Sequence, residues 1–260
     1  MSGIRFRLIG LLLAALALFG GMKAVPAKAD PSPYQLFLPL TLAAPMACAP
    51  TGASYASLPV NPPPTDRPAA QHPDLNLSLR GYAPASAPAE YIWLGGDTDA
   101  RAPQLTTLFA PARRPIISSV WRVYDWDWEQ DRRGDVIGYP PVTLMGLNVS
   151  RDELLHLPDS GYDLGQGFEA LVLYAEPSRI TLKYTREDNV VWGYTLHLEH
   201  ICVDPNLLMF YRSLDARGRG SLPALRAGQP FGRALVQPPG VAIRDNGSFM
   251  DPRSRKDWWR

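Results

Sequence analysis

Residues 179–198 read Arg179-Ile180-Thr181-Leu182-Lys183-Tyr184, then Thr185-Arg186-Glu187-Asp188-Asn189, then Val190-Val191-Trp192-Gly193-Tyr194-Thr195-Leu196-His197-Leu198. Successive side chains of an extended chain point to opposite sides. Ile180, Leu182 and Tyr184 therefore share one face, and Arg179, Thr181 and Lys183 share the other. Glu187-Asp188-Asn189 supplies turn chemistry between the two apolar runs, so the stretch predicts a β-hairpin.

The same texture extends outward from this hairpin. From about Ala89, short runs rich in β-branched and aromatic residues alternate with Gly, Pro, Asp and Asn. Tyr91–Leu94, Ile117–Trp128, Val142–Leu147, Ala170–Tyr174, Arg179–Tyr184, Val190–Leu198 and Val241–Ile243 are the candidate strands. One helix is expected over Pro205–Leu214. There Leu207, Leu208, Phe210, Tyr211 and Leu214 form an apolar stripe, and Gly218 and Gly220 follow. The expected fold is mainly β, a sandwich or barrel-like core with one short helix, and no repeat of solenoid length is visible.

The N-terminal part reads differently. Arg5 and Arg7, the apolar stretch Leu8–Phe19 and the small-residue site Ala27-Lys28-Ala29 have the order of a secretory signal peptide, so 1–29 is expected to be removed and the protein to act outside the cytoplasm, in the extracellular space or cell envelope. The apolar run is shorter than the roughly 20 residues that cross a bilayer, and no later segment is long and apolar enough to span. Residues 30–88 are dominated by Pro, Ala and Ser, with Pro62-Pro63-Pro64 in the middle, and read as a disordered linker or stalk. Within them Tyr34–Leu40 is an apolar patch suited to docking on the later domain or to surface attachment. The expected organisation is a signal peptide (1–29), a linker (30–88), a β-rich part (89–157) and a second β domain (158–260).

A formal charge of +1 gives no electrostatic case for nucleic acid or an anionic membrane as partner. Cys48 and Cys202 are the only cysteines; in an oxidising compartment they can pair or stay free, and their spacing does not decide which. Without a nearby histidine pair they do not make a four-ligand structural zinc site.

Any histidine chemistry must use His72, His156, His197 or His200. His197 and His200 are three apart at a strand end and point to opposite faces unless a bulge intervenes. No Gly-x-Ser-x-Gly elbow is present for a serine nucleophile. In Asp125-Trp126-Asp127-Trp128-Glu129 the acids fall on one face and the tryptophans on the other. Exposed, Trp126 and Trp128 would offer a sugar-stacking surface; buried, they would belong to the core.

From Pro158 to about residue 255 the order of motifs resembles the core of the lysostaphin-type (LytM-like, duplicated hybrid motif) zinc endopeptidases, which cut peptide bridges in peptidoglycan. Asp159-Ser160-Gly161-Tyr162-Asp163 is similar to the family's opening His-x-Gly-x-Asp, with Asp in place of the first His. The pair Arg179–Thr185 and Val190–Leu198 resembles its central hairpin, and Gly193-Tyr194 through His197-Leu198 its glycine-tyrosine segment ending in His-Leu. Gly228-Gln229-Pro230-Phe231-Gly232 resembles its Gly-Gln turn, and Ile243-Arg244-Asp245-Asn246-Gly247 with Asp251-Pro252 its closing strand, turn and ending. Counting back from that turn places the family's His-x-His on Pro238-Pro239-Gly240, where neither end can ligate a metal.

The resemblance implies a relative without catalysis. A catalytic zinc needs about three protein ligands and an open position. Of the positions it names, Asp163 survives, Asp159 is a weak oxygen donor and His197 is the surviving histidine. The leading expectation is a non-catalytic binding or scaffolding module, with peptidoglycan or another envelope component as partner and no cofactor. The alternative is an active zinc metallopeptidase built on Asp159, Asp163, His197 and His200. The tail Arg253–Arg260, with Trp258 and Trp259, either folds back or faces a partner.

Overall fold

The computed structural model describes residues 48–260; the expected signal peptide and the Tyr34–Leu40 patch lie outside the described residues. The first strands are β1 (Ala56–Pro59), β2 (Tyr82–Pro84), β3 (Ile116–Asp127), β4 (Arg132–Val136), β5 (Leu144–Asn148), β6 (Leu154–His156) and β7 (Ala170–Glu176). They are followed by β8 (Arg179–Lys183), β9 (Tyr194–Glu199), β10 (Ile201–Val203), β11 (Ser221–Leu225), β12 (Pro230–Ala234), β13 (Gly240–Asp245) and β14 (Ser248–Met250). The helices are α1 (Leu77–Arg80), α2 (Pro205–Asp215) and α3 (Arg255–Trp258). The protein is mainly β, as the alternation predicts.

The large sheet is antiparallel and runs β1-β11-β7-β8-β9-β13-β5-β3-β2, with β14 beside β13 and β4 beside β3; β10-β12-β6 form a small second sheet. Leu171 and Leu173 of the large sheet and Leu155, Ile201, Val203 and Phe231 of the small one belong to one continuous buried cluster. The two sheets are therefore stabilised by a shared core, the term that dominates folding. α2 starts where its chemistry says it should. The Asp204 carboxylate accepts from the backbone N–H groups of Asn206 and Leu207, and proline occupies the first turn.

Residues 48–88 are not the expected linker. Ala56–Pro59 pair with Ser221–Ala224 as the sheet's edge strand, and Leu58, Leu75 and Leu77 are buried. The prolines Pro59 and Pro84 fall at strand ends, where a missing N–H costs no ladder bond. Cys48 and Cys202 are joined in a disulfide, with Cα atoms 5.7 Å apart, which ties the start of this segment to β10. Nor do 89–157 and 158–260 separate. β5 pairs with both β3 and β13, and the described residues form one compact unit.

Two expected strands are shorter than the sequence suggests. Tyr91–Leu94 contributes a single bridge, Ile92 to Ser254. The return strand of the hairpin begins at Tyr194, because the turn residues are held by other parts of the chain. Asp188 is gripped through both oxygens by Arg219, at 2.6 and 2.7 Å, and Arg186 donates to the Pro59 carbonyl. Val191 and Trp192 are left exposed.

Candidate functional site

Across the three central strands the register aligns Arg179 with Glu199 and Gly240, Thr181 with His197 and Ala242, and Lys183 with Thr195 and Arg244. Directly opposed residues share a face. One side of the sheet is thus a band of polar side chains, and the other carries Ile180, Leu182, Leu196, Leu198, Val241 and Ile243. A polar face of this kind ordinarily meets water. Here Thr181, Lys183, Thr195, His197, Glu199 and Arg244 are all buried.

The cover is residues 72–80 together with the β13–β14 hairpin. Asn76 caps α1 by accepting from the Ser78 backbone N–H, and Gly81 ends it with φ +66°, a conformation that favours glycine. The Thr181 hydroxyl donates to the Leu75 carbonyl at 2.6 Å. Asp74 accepts from Arg244 at 2.6 Å and from Arg80 at 2.7 Å through one oxygen. Asn246-Gly247 makes the tight turn that folds Phe249 back opposite Arg244. The Arg244 guanidinium lies 4.7 Å from the Phe249 ring centre, and His197 stacks on the same ring.

The protonation of this cluster follows from its contacts. Burial pushes the Asp74 carboxyl up, but Arg244 and Arg80 outweigh it and hold the group at about 2. Burial, with Arg244 nearby, lowers His197 to about 3, so the ring is neutral. The Thr181 proton is committed to a carbonyl that can only accept. His197 Nδ1, 3.1 Å from Thr181 Oγ1, is then the protonated nitrogen, and Nε2 is a bare acceptor with no partner among the described residues. Lys183 Nζ and Thr195 Oγ1 also lack one, and burial lowers Lys183 to about 8.

The other sequence candidates are dispersed. Asp163 is exposed and accepts from the Gly165 backbone N–H, closing its own turn. Asp159 is exposed and its backbone pairs with Gln104. His200 has φ +56° beyond the end of β9, and its Nε2 is 2.8 Å from the Tyr82 hydroxyl. At the position matched to the second histidine of the His-x-His, a Cβ on Gly240 would sit 3.2 Å from Leu144 and 3.3 Å from Glu199 Cβ. Among the described residues no group of three or more His, Cys, Asp or Glu is placed to hold a metal ion.

Trp126 and Trp128 are neither core nor an open platform. Trp126 Nε1 lies 3.3 Å from Asp131, and Trp128, half-exposed, is met by the Arg67 guanidinium and the edge of His72.

A second site was not legible as one. Trp258 and Trp259 fold back and are buried, with their indole N–H groups donating to the carbonyls of Asp251 and Pro252. Of their charged neighbours, Arg255 and Arg260 stay exposed, whereas Lys256 is buried. A pocket of about 460 Å³ is bounded by Trp93, Arg114, Arg255, Lys256 and Arg260, with Trp259 behind. A second, of about 440 Å³, includes Leu94, Tyr139, Tyr194 and Met250, and both are lined by Asp97 and Lys256. The basic-aromatic composition of the tail was the available signal; its partner segment, 93–99, carried none.

Comparison with known proteins finds no matching family model, curated protein or solved structure.

Proposed function

We propose that this chain is an exported, non-catalytic β module of the cell envelope, resembling a lysostaphin-type endopeptidase core without its zinc chemistry, that binds or scaffolds an envelope component such as peptidoglycan. The observation that supports this reading is the condition of the sheet face on which His197 stands. The Asp74–Arg80–Arg244 cluster and Phe249 fill the space in front of it, and Gly240 is packed against Leu144 and Glu199. A water nucleophile needs an open coordination position and three protein ligands, whereas Asp163 is spent on a turn elsewhere. Export rests on the signal-like order of 1–29.

The test is elemental analysis of the mature 30–260 protein after dialysis, beside Asp163→Ala, followed by sedimentation with isolated cell walls. The reading expects no stoichiometric zinc in either protein, no release of peptidoglycan fragments and retention on the walls. Near-stoichiometric zinc lost in Asp163→Ala, together with cleavage of wall peptides, would overturn it.

A further inference from the structure

Most arginines among the described residues are engaged. Arg179 pairs with Glu199, Arg219 with Asp188, Arg244 with Asp74 and Arg253 with Asp251. Four guanidiniums among the described residues, those of Arg114, Arg122, Arg212 and Arg255, have no ion pair or hydrogen bond there, and of these the exposed Arg114 and Arg255 are brought together. They border one pocket with Lys256 and Arg260, against the single acid Asp97. Trp93 stands in the same wall with 72% of its surface exposed, and Tyr139 stands at the adjoining pocket with 85%. Folding gains nothing from an indole and a phenol held in water or from unpaired guanidiniums gathered in one place. A bound ligand does.

We propose that these two pockets form one binding site for an anionic glycan, a saccharide chain bearing carboxylate or phosphodiester groups, with the anion on Arg114 and Arg255 and sugar rings against Trp93 and Tyr139. The planar fork of a guanidinium matches carboxylate and phosphate oxygens with two parallel hydrogen bonds, which an ammonium does not. An aromatic ring offers a flat apolar surface to the C–H face of a pyranose. The exposed Asp97 carboxylate, which lines both pockets, is an acceptor for sugar hydroxyls. Both volumes fall within the usual range for small-molecule sites, about 300–1,000 Å³.

The site is also built in advance. Arg255 N–H donates to the Ile92 carbonyl at 2.9 Å, Ile92 N–H to the Arg253 carbonyl at 3.2 Å, and Lys256 Nζ to the Asp97 carbonyl at 2.6 Å. These bonds fix the 92–97 segment onto the tail, so less ordering is left to do when a ligand arrives. The inference deepens the reading of an envelope-binding module by giving it a site and a ligand chemistry.

The experiment is calorimetric titration of the mature, disulfide-bonded 30–260 protein with four probes: tetragalacturonate, a glycerol-phosphate tetramer, neutral maltotetraose and hexaglutamate. One or both anionic oligomers should bind, more weakly as salt screens the charge, and which binds tighter identifies a carboxylate or phosphodiester source. Arg114→Ser combined with Arg255→Ser should weaken that binding about tenfold or more, and Trp93→Ala should weaken it with the charge unchanged. All three positions are exposed, and unchanged melting temperatures will confirm intact folds. The proposal is overturned if neither anionic saccharide binds, if maltotetraose or hexaglutamate binds as tightly, or if the double variant matches wild type. Wall sedimentation separates the two failures. Retention of wild type and double variant alike removes the pocket and keeps the envelope reading; oligosaccharide binding without wall retention does the reverse.

Discussion

Arg244 and Arg255 are near neighbours in sequence and meet opposite fates. Arg244 is sealed beneath residues 72–80, with Asp74, the Gly247 carbonyl and the Phe249 ring as partners. Arg255 projects from α3 into an open pocket with no partner among the described residues. The difference separates charge that the fold needs from charge that the fold merely carries. Inside, a charge must be paired or it destabilises the protein by several kcal/mol; outside, water satisfies it at little cost, and it stays available to a ligand.

Substitution at the two arginine sites should give effects of very different size. Asp74→Ala removes the shared anion and leaves Arg80 and Arg244 buried without it, and should destabilise the protein by about 3–5 kcal/mol in urea denaturation. Arg255→Ser should stay within about 0.5 kcal/mol, as surface changes do. A loss below about 1 kcal/mol for Asp74→Ala would mean that water reaches the cluster, and the contrast between the regions would dissolve.

Lys183 sharpens the comparison from the other direction. Its ammonium is buried on the sealed face, lacks a hydrogen bond among the described residues and is lowered to about 8 by burial. The folded group thus releases its proton before the unfolded one, which means that the charged form opposes folding at neutral pH. Lys183→Met keeps the length and removes the charge, and should stabilise the protein by about 1–3 kcal/mol at pH 7. The gain should shrink as pH rises from 8 towards 10.5, where the wild-type lysine is already neutral in the folded state. A destabilised variant would indicate that an ordered group pairs with Nζ.

The sealed face was half legible in the sequence. Alternation in 179–184 assigned Arg179, Thr181 and Lys183 to one side, and the Asn246-Gly247 turn was visible. The cover was not, because Pro-rich texture masked the short motif Leu75-Asn76-Leu77-Ser78-Leu79-Arg80-Gly81. That motif holds its own cap, its own stop and two leucines that become fully buried. Long-range pairing decides such a segment, and local composition does not report it. Small strands such as β1, β2 and β12 were missed for the same reason: prolines at their ends and a glycine inside lower their β propensity, and cross-strand partners supply what propensity lacks. The choice between a folded-back tail and a partner-facing one was not legible, since its tryptophans find their places against distant residues, Trp259 on Tyr91 and Trp258 on Tyr194.

His197 offers a test by pH, because one proton bounds its effect at each pH unit. Its folded pKa, about 3, lies below the ordinary 6.5. Between those values the unfolded chain binds a proton that the folded one refuses, and stability rises with pH wherever the unfolded state binds more protons. His197 therefore leaves the protein fully stable above about pH 6.5 and weakens it as pH falls towards 3, by at most about 1.4 kcal/mol per pH unit. Asp74 adds its own loss only lower, from its ordinary 3.8 down to about 2. His197→Gln keeps a donor for Thr181 and does not titrate. Urea midpoints from pH 7.5 to 3.5 should run parallel for both proteins above 6.5 and diverge below it, with wild type falling more steeply. Equal slopes would mean that the folded protein takes up the proton, so that His197 Nε2 has access to solvent and the face is open after all.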